Sequence, residues 1–174
     1  FGLPAKGFVF CCFNNTYKLN PWMFDIWMRL LREVPGSVLW LREENQAAGE
    51  NLREEARARG VDPGRIVFAR RLPALADHLA RHRLADLFLD TLPYNAHTTA
   101  SDALAAGLPL LTCAGSAYAG RVAGSLLRTI GLPELITGNL KDYEALALEL
   151  ARDRPRLADL RSRLGRNLST SPLF

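Results

Sequence analysis

The sequence predicts an α/β fold, a doubly wound parallel sheet with helices on both faces (Rossmann-like). Three observations carry that expectation. Short apolar runs with aromatic and β-branched content recur along the chain. Amphipathic segments of roughly ten residues separate them, the pattern of a parallel sheet covered on both sides. Pro and Gly signals punctuate the alternation.

Phe8 to Phe13 reads as the first strand. Asn20-Pro21 opens a helix, Asn as N-cap and Pro at the first helical position. Phe24, Trp27, Met28 and Leu31 follow at helical spacing and define a buried face. Pro35-Gly36 closes it, and Ser37 to Leu41 is the second strand. A polar-faced helix over Ala47–Arg59 ends at Gly60. Arg65–Ala69 is a third strand, Pro73–His82 a short helix, and Ala85–Leu89 a fourth strand. A helix over Thr98–Ala106, a strand over Pro109–Thr112, and helices near Ala119–Ile130, Lys141–Arg152 and Pro155–Arg166 complete the chain. No internal repeat, low-complexity segment or linker interrupts it, so residues 1–174 read as a single domain. In such sheets ligands bind beyond the carboxyl ends of the strands. The loops after Phe13, Leu41, Ala69 and Leu89 are therefore expected to converge on the site.

Composition narrows the function. With 48% hydrophobic residues among 174, the chain can bury one good core. The formal charge is +4 and the isoelectric point near 9.3. The arginines are scattered along amphipathic segments without a basic stripe, which argues against nucleic acid and permits an anionic small ligand. Cys11, Cys12 and Cys113 show no metal spacing and read as reduced, mostly buried thiols of a cytoplasmic protein. No apolar run is long enough to span a membrane and no signal peptide is visible. The start at Phe1, without Met, suggests a piece of a longer polypeptide.

The run Leu89-Asp-Thr-Leu-Pro-Tyr-Asn-Ala-His-Thr-Thr-Ala-Ser-Asp-Ala-Leu104 is the richest in chemistry. A buried strand ends in a Pro93/Asn95 turn and enters a helix whose first turn carries hydroxyls, an imidazole and a carboxylate. A helix N-terminus presents unpaired N–H groups and about half a positive charge. Thr98 and Thr99 either add donors to a diphosphate there or simply cap the helix. Asp102, one turn further in, is placed to accept from sugar hydroxyls. Lys18, one of only three lysines, stands after the first strand, where its ammonium either meets a phosphate or is solvated. His78 and Arg81 share one helix face and either meet a base or lie on the surface; His82 points elsewhere and is expected exposed. His97 has no second ligand at suitable spacing, so a metal site is not expected. The chain lacks a dinucleotide fingerprint and a P-loop, and no Ser/His/Asp or Cys/His arrangement stands out. It offers a ligand-binding half-site without a general base.

At these residues the chain resembles the protein O-linked N-acetylglucosamine (O-GlcNAc) transferases, specifically the C-terminal half of their GT-B catalytic region in a bacterial-type member. The matching segments are Phe13-Asn-Asn-Thr-Tyr-Lys-Leu-Asn-Pro21, Val34-Pro-Gly-Ser-Val-Leu-Trp-Leu41, Leu84-Ala-Asp-Leu-Phe-Leu-Asp-Thr91, Asn95-Ala-His-Thr-Thr-Ala-Ser-Asp102, Ala119-Gly-Arg-Val-Ala-Gly-Ser125 and Ser171-Pro-Leu-Phe174. They run in order over essentially the whole chain. The resemblance implies the donor-binding domain of an inverting enzyme that moves N-acetylglucosamine from UDP-GlcNAc to Ser/Thr of proteins. It implies that Lys18 contacts the diphosphate and stabilises departing UDP without a metal or other cofactor, with Asn15 near the donor. His97, Thr98 and Thr99 would hold the diphosphate, Asp102 the ribose, and His78 and Arg81 the uracil. Leu75 departs from the pattern, since animal members carry a lysine there near the ribose. The family adds tetratricopeptide repeats and an N-terminal catalytic lobe, so the chain is expected to be one part of a two-lobed enzyme, inactive alone. The proton-handling histidines belong to that other lobe. A relative using GDP-fucose or UDP-glucose, or a non-catalytic binding or scaffold module, are the alternative readings.

Overall fold

A computed structural model describes residues 1–173; Phe174, the last residue of the closing Ser-Pro-Leu-Phe match, lies outside the described residues. Six parallel strands form one sheet in the order β3-β2-β1-β4-β5-β6. They are β1 (Val9–Cys12), β2 (Val38–Arg42), β3 (Ile66–Ala69), β4 (Leu87–Leu89), β5 (Leu110–Cys113) and β6 (Ile136–Thr137). The central strands β1, β4 and β5 are buried throughout, as helices on both faces require. The expected doubly wound α/β sheet is present.

Seven helices cover it: α1 (Pro21–Glu33), α2 (Gln46–Ala58), α3 (Leu75–Arg81), α4 (Thr98–Ala105), α5 (Val122–Thr129), α6 (Leu140–Arg152) and α7 (Arg154–Leu168). Asx side chains start four of them. Asn20, Asn45, Asn139 and Asp153 accept from Met23, Ala48, Asp142 and Arg156 backbone N–H groups at 2.9–3.0 Å, satisfying donors that a helix cannot pair internally. The buried face of α1 holds Met23, Phe24, Trp27, Met28 and Leu31, the expected spacing. Cys11, Cys12 and Cys113 are free and buried.

Three details differ from the sequence reading. The edge strand β6 was not anticipated; two residues carry no periodicity, and pairing of Ile136 with Thr112 defines it. The segment expected as one helix from Ala119 begins instead with a 3-10 turn, Tyr118–Gly120, before α5. His82, expected exposed, is fully buried. The α-helix ends at Arg81 and a 3-10 turn, His82–Leu84, takes over. Its tighter winding breaks the 3.6-residue periodicity and turns the imidazole inward, edge-on to Phe13 at 5.0 Å, with Nδ1 2.9 Å from the His78 carbonyl.

The strand order reverses between β1 and β4. Connections after β1 run outward to β2 and β3, whereas those after β4 run the other way, which opens a crevice at their carboxyl ends. Asp90, immediately after β4, is buried. Its Oδ1 accepts from the Thr91 N–H (2.7 Å), the Ala96 N–H (2.6 Å) and Asn14 Nδ2 (3.4 Å), and its Oδ2 from the Thr112 hydroxyl (2.6 Å). Its carbonyl accepts from the buried Tyr143 hydroxyl at 3.0 Å, which in turn accepts from Trp27 Nε1 at 3.2 Å. One residue thus links both strand ends, β5, α1, α6 and the entry to α4. Burial pushes the Asp90 carboxyl up from 3.8 to about 7, against the opposing pull of its donors.

Two outcomes follow from these buried groups. Asp90→Ala leaves two backbone N–H groups and a hydroxyl unpaired and should cost on the order of 3 kcal/mol, each unpaired buried donor being worth about 1–3 kcal/mol. Asp90→Asn keeps a carbonyl for both N–H groups while the Thr112 hydroxyl can reverse, so urea unfolding should show less than half that loss. Equal losses would mean that charge, not donor satisfaction, holds the turn.

Burial lowers the His82 pKa from 6.5 to about 4, with the charges of His78 and Arg81 adding to the fall and the His78 carbonyl and Asp102 opposing it. The unfolded chain therefore binds a proton that the fold refuses. This contribution is complete above pH 6.5 and is lost as pH falls towards 4. Asp90, with its raised pKa, acts oppositely, losing stability as pH rises from about 4 to 7. In His82→Leu the His82 contribution vanishes while Asp90's remains. The stability gap between wild type and variant should narrow as urea unfolding is repeated from pH 6.5 down to 4; a constant gap would contradict the assignment.

Candidate functional site at the strand reversal

The site is built on a rivet. Asn14, buried at the end of β1, donates from Nδ2 to the Thr91 hydroxyl at 2.8 Å and accepts the Thr99 hydroxyl at 2.5 Å. One amide pins the end of β1 to both ends of the connection from β4 into α4. With Asn14 held inward, the following residues turn to the crevice through a 3-10 turn, Thr16–Lys18, closed by Lys18 N–H to Asn15 O at 3.0 Å. The Lys18 ammonium donates to the Asn95 carbonyl at 2.9 Å and lies 3.9 Å over the Tyr94 ring. Neither contact neutralises its charge.

Opposite Lys18 is the start of α4. His97 is its N-cap and contributes no side-chain cap bond, and its carbonyl accepts from the Ala100 and Ser101 N–H groups. The N–H groups of Thr98 and Thr99 precede the helical ladder and form the positive end of the helix dipole. The His97 ring lies 5.0 Å from Tyr94, with Nε2 3.4 Å from the Ala119 carbonyl. That carbonyl also accepts from the Asn95 N–H at 2.8 Å. Gly120 makes this close approach possible, because a Cβ there would lie 2.9 Å from the Pro93 carbonyl oxygen.

Two adjoining recesses result. The first, of about 340 Å³, is lined chiefly by Asn15, Lys18, Arg42, His97, Thr98 and Thr99. The second, of about 440 Å³, is lined by Phe13, Arg42, Arg71, Leu75, His78 and Arg81 among others, with Thr99 as well. Arg42 and Thr99 are the wall they share. A larger hollow of about 830 Å³ runs along the outer side of the edge strand β3, with Glu43, Glu50, Arg53 and Arg70 in its lining. It mixes both signs of charge and shares only Arg71 with the second recess.

The residues singled out in the sequence divide between the recesses. Asn15, Lys18, His97, Thr98 and Thr99 meet in the first, and His78 and Arg81 in the second. Asp102 lines neither; it backs His78, with Oδ2 3.4 Å from Nε2. Burial, then the Arg81 charge, lower the His78 pKa from 6.5, with Asp102 pulling the other way, so the imidazole is neutral at pH 7. Arg81 is only 5% exposed; its guanidinium stacks 4.5 Å over Phe13 and donates to the Arg70 carbonyl at 2.7 Å. It forms a rigid wall of the second recess.

Sequence reasoning missed Asn14, Arg42, Tyr94 and Asp90. Asn14 and Asp90 each follow an apolar strand directly, a position where a polar residue must be paired if buried. That signal was available. Arg42 carried none, because a strand-terminal arginine ordinarily reaches solvent.

The arrangement is a crevice with a surplus of positive charge. Lys18, Arg42, Arg71 and Arg81 surround it, against Asp102 behind His78 and Glu44, whose carboxylate is 3.8 Å from Arg42. Among the described residues no group of three or more His, Cys, Asp or Glu side chains could hold a metal ion. No helix among them is long and apolar enough to cross a membrane.

Comparison with known proteins places the chain in a family. Glycosyl transferase family 41 matches residues 1–174. The UDP-N-acetylglucosamine–peptide N-acetylglucosaminyltransferase of Caenorhabditis elegans is 39% identical over 99% of the chain. A probable enzyme of the same description from Arabidopsis thaliana is 40% identical over 100% of it. The chain spans only 15% and 18% of those relatives' lengths. A mutant of the Thermobaculum terrenum O-GlcNAc transferase superposes with a TM-score of 0.90 at 36% identity, over 96% of this chain and 33% of that one. Anabaena HepE, solved with UDP and glucose, shares the fold at 17% identity and a TM-score of 0.64, over 96% of this chain and 45% of its own. With its Rossmann-like sheet and a match along its whole length, the chain belongs to glycosyl transferase family 41.

Proposed function

We propose that residues 1–174 form the nucleotide-sugar-binding domain of a two-lobed, inverting glycosyltransferase. Its donor is UDP-N-acetylglucosamine, and its acceptor is a Ser or Thr hydroxyl of a protein. The observation that carries this reading is the pair of recesses with a common wall at the strand reversal. The smaller holds an unneutralised ammonium facing a helix start; the other is walled by aromatic, imidazole and guanidinium planes. A diphosphate suits the first and a base the second. The names of the full-length relatives supply the sugar and the peptide acceptor.

In this reading the acceptor oxygen attacks the anomeric carbon as its bond to the diphosphate breaks, and UDP leaves with the bonding pair. Charge on the leaving phosphate grows in the transition state. Lys18, the N–H groups of Thr98 and Thr99 and the Thr98 hydroxyl meet it without reorganising, the economical form of electrostatic catalysis. No metal or other cofactor is needed, because fixed donors and an ammonium supply the compensating charge. Asn15 and His97 line the diphosphate recess, and His78, oriented by Asp102, borders the nucleoside. The acceptor proton goes to a base on the N-terminal lobe, which, with tetratricopeptide repeats, is the partner in the parent polypeptide. The buried thiols suit a reducing, cytoplasmic setting.

Lys18→Ala should weaken UDP about ten- to hundredfold, since a charge-assisted hydrogen bond is worth about 1.5–3 kcal/mol, and leave uridine almost unchanged. Calorimetric titration checks this. The same titration in EDTA should return the same UDP affinity, and GDP should bind more weakly than UDP. Equal loss of uridine and UDP, or a strict need for Mg²⁺ or Mn²⁺, would refute the assignment; a preference for GDP would reassign the donor.

A further inference from the structure

Arg42 is the last residue of β2, and its backbone is fixed by the ladder. It stands opposite Ala69, and the next N–H, of Glu43, donates to the Ala69 carbonyl at 2.9 Å. The side chain therefore leaves the sheet at its carboxyl edge, beside the strand reversal. It is 38% exposed, donates to Asn15 Oδ1, and has one carboxylate nearby, Glu44 at 3.8 Å. Burial is the main cause that lowers the pKa of His78 and Arg81, and the Arg42 charge adds a smaller push in the same direction on both. The wall between the recesses thus carries a surplus of positive charge.

The recesses fix what Arg42 can meet. Lys18 lines only the smaller recess, and His78 and Arg81 only the larger, whereas Arg42 and Thr99 line both. A nucleoside diphosphate with its base in the larger recess and its far phosphate at Lys18 must cross that wall. The groups that cross are the ribose and the first phosphate. A guanidinium presents a planar fork of donors that fits two phosphate oxygens at once, whereas an ammonium acts as a point charge.

We infer that Arg42 is a second phosphate-binding cation, ligating the phosphate nearest the ribose while Lys18 holds the far one. This rests on the nucleotide-binding function proposed above. It divides the diphosphate between two residues and makes nucleoside monophosphates ligands of Arg42 but not of Lys18.

The test titrates uridine, UMP and UDP into the wild-type chain, Arg42→Met, Arg42→Gln, Arg42→Lys and Lys18→Ala, with unfolding midpoints confirming that each is folded. Arg42→Met and Arg42→Gln should weaken UMP and UDP by the same factor, about ten- to hundredfold, and leave uridine within about twofold. Arg42→Lys should recover part of the loss. Lys18→Ala should weaken UDP but not UMP. The dependence of UDP affinity on salt should flatten in Arg42→Met, which a purely structural role would not produce. Unchanged UMP and UDP affinity in the Arg42 variants would overturn the inference while leaving the proposed function intact, as would an equal loss of uridine. A wild-type chain that binds neither UMP nor UDP overturns both.

Discussion

A buried carboxylate is costly unless every lone pair finds a donor. Asp90 meets that demand by recruiting donors from separate parts of the chain: Asn14 after β1, the Thr91 and Ala96 amides around the turn into α4, and the Thr112 hydroxyl on β5. Each donor adjoins a residue that lines the crevice or supports one that does. Asn14 precedes Asn15, Ala96 precedes His97 and Thr98, and Thr112 lies just before the loop whose Ala119 carbonyl holds the Asn95 amide. The geometry of the crevice is therefore set by satisfying one residue below it.

That dependence explains how a chain without a glycine-rich phosphate loop builds the anion site proposed for it. The Asx rivet at Asn14 ties Thr91 and Thr99 into one frame, and the cations stand around it on a strand end, a short turn, a loop and the last turn of α3. Lys18 is held at the floor by a carbonyl and an aromatic face. Those contacts orient the ammonium without discharging it. Arg81 has traded freedom for rigidity, stacked on Phe13 and bonded to the Arg70 carbonyl. Donors fixed before the ligand arrives need not reorganise when charge develops.

The sheet was legible in the sequence because apolar runs and helix caps are local signals: Asn20-Pro21 and the α1 stripe stand where they were expected. Most of the crevice was legible too, since strand-end polar residues in an α/β chain converge whatever the details of packing. What could not be read was set by tertiary contact. β6 exists only through its pairing with β5, and His82 is turned inward by a 3-10 turn that periodicity does not foresee. Asp102 illustrates the finer limit. Its helical position placed it near the site, but only the approach of α3 to α4 sets it behind His78, where it orients the imidazole.

In the proposed function one nucleotide spans two recesses at the strand reversal. An amide NMR titration of the isotopically labelled chain with UDP is the decisive check. Shifts should concentrate at Asn15–Lys18, Arg42, His78, Arg81 and His97–Thr99, on both sides of the Arg42–Thr99 wall. Shifts confined to one recess, or centred on Glu50, Arg53 and Phe68 in the hollow beside β3, would contradict it.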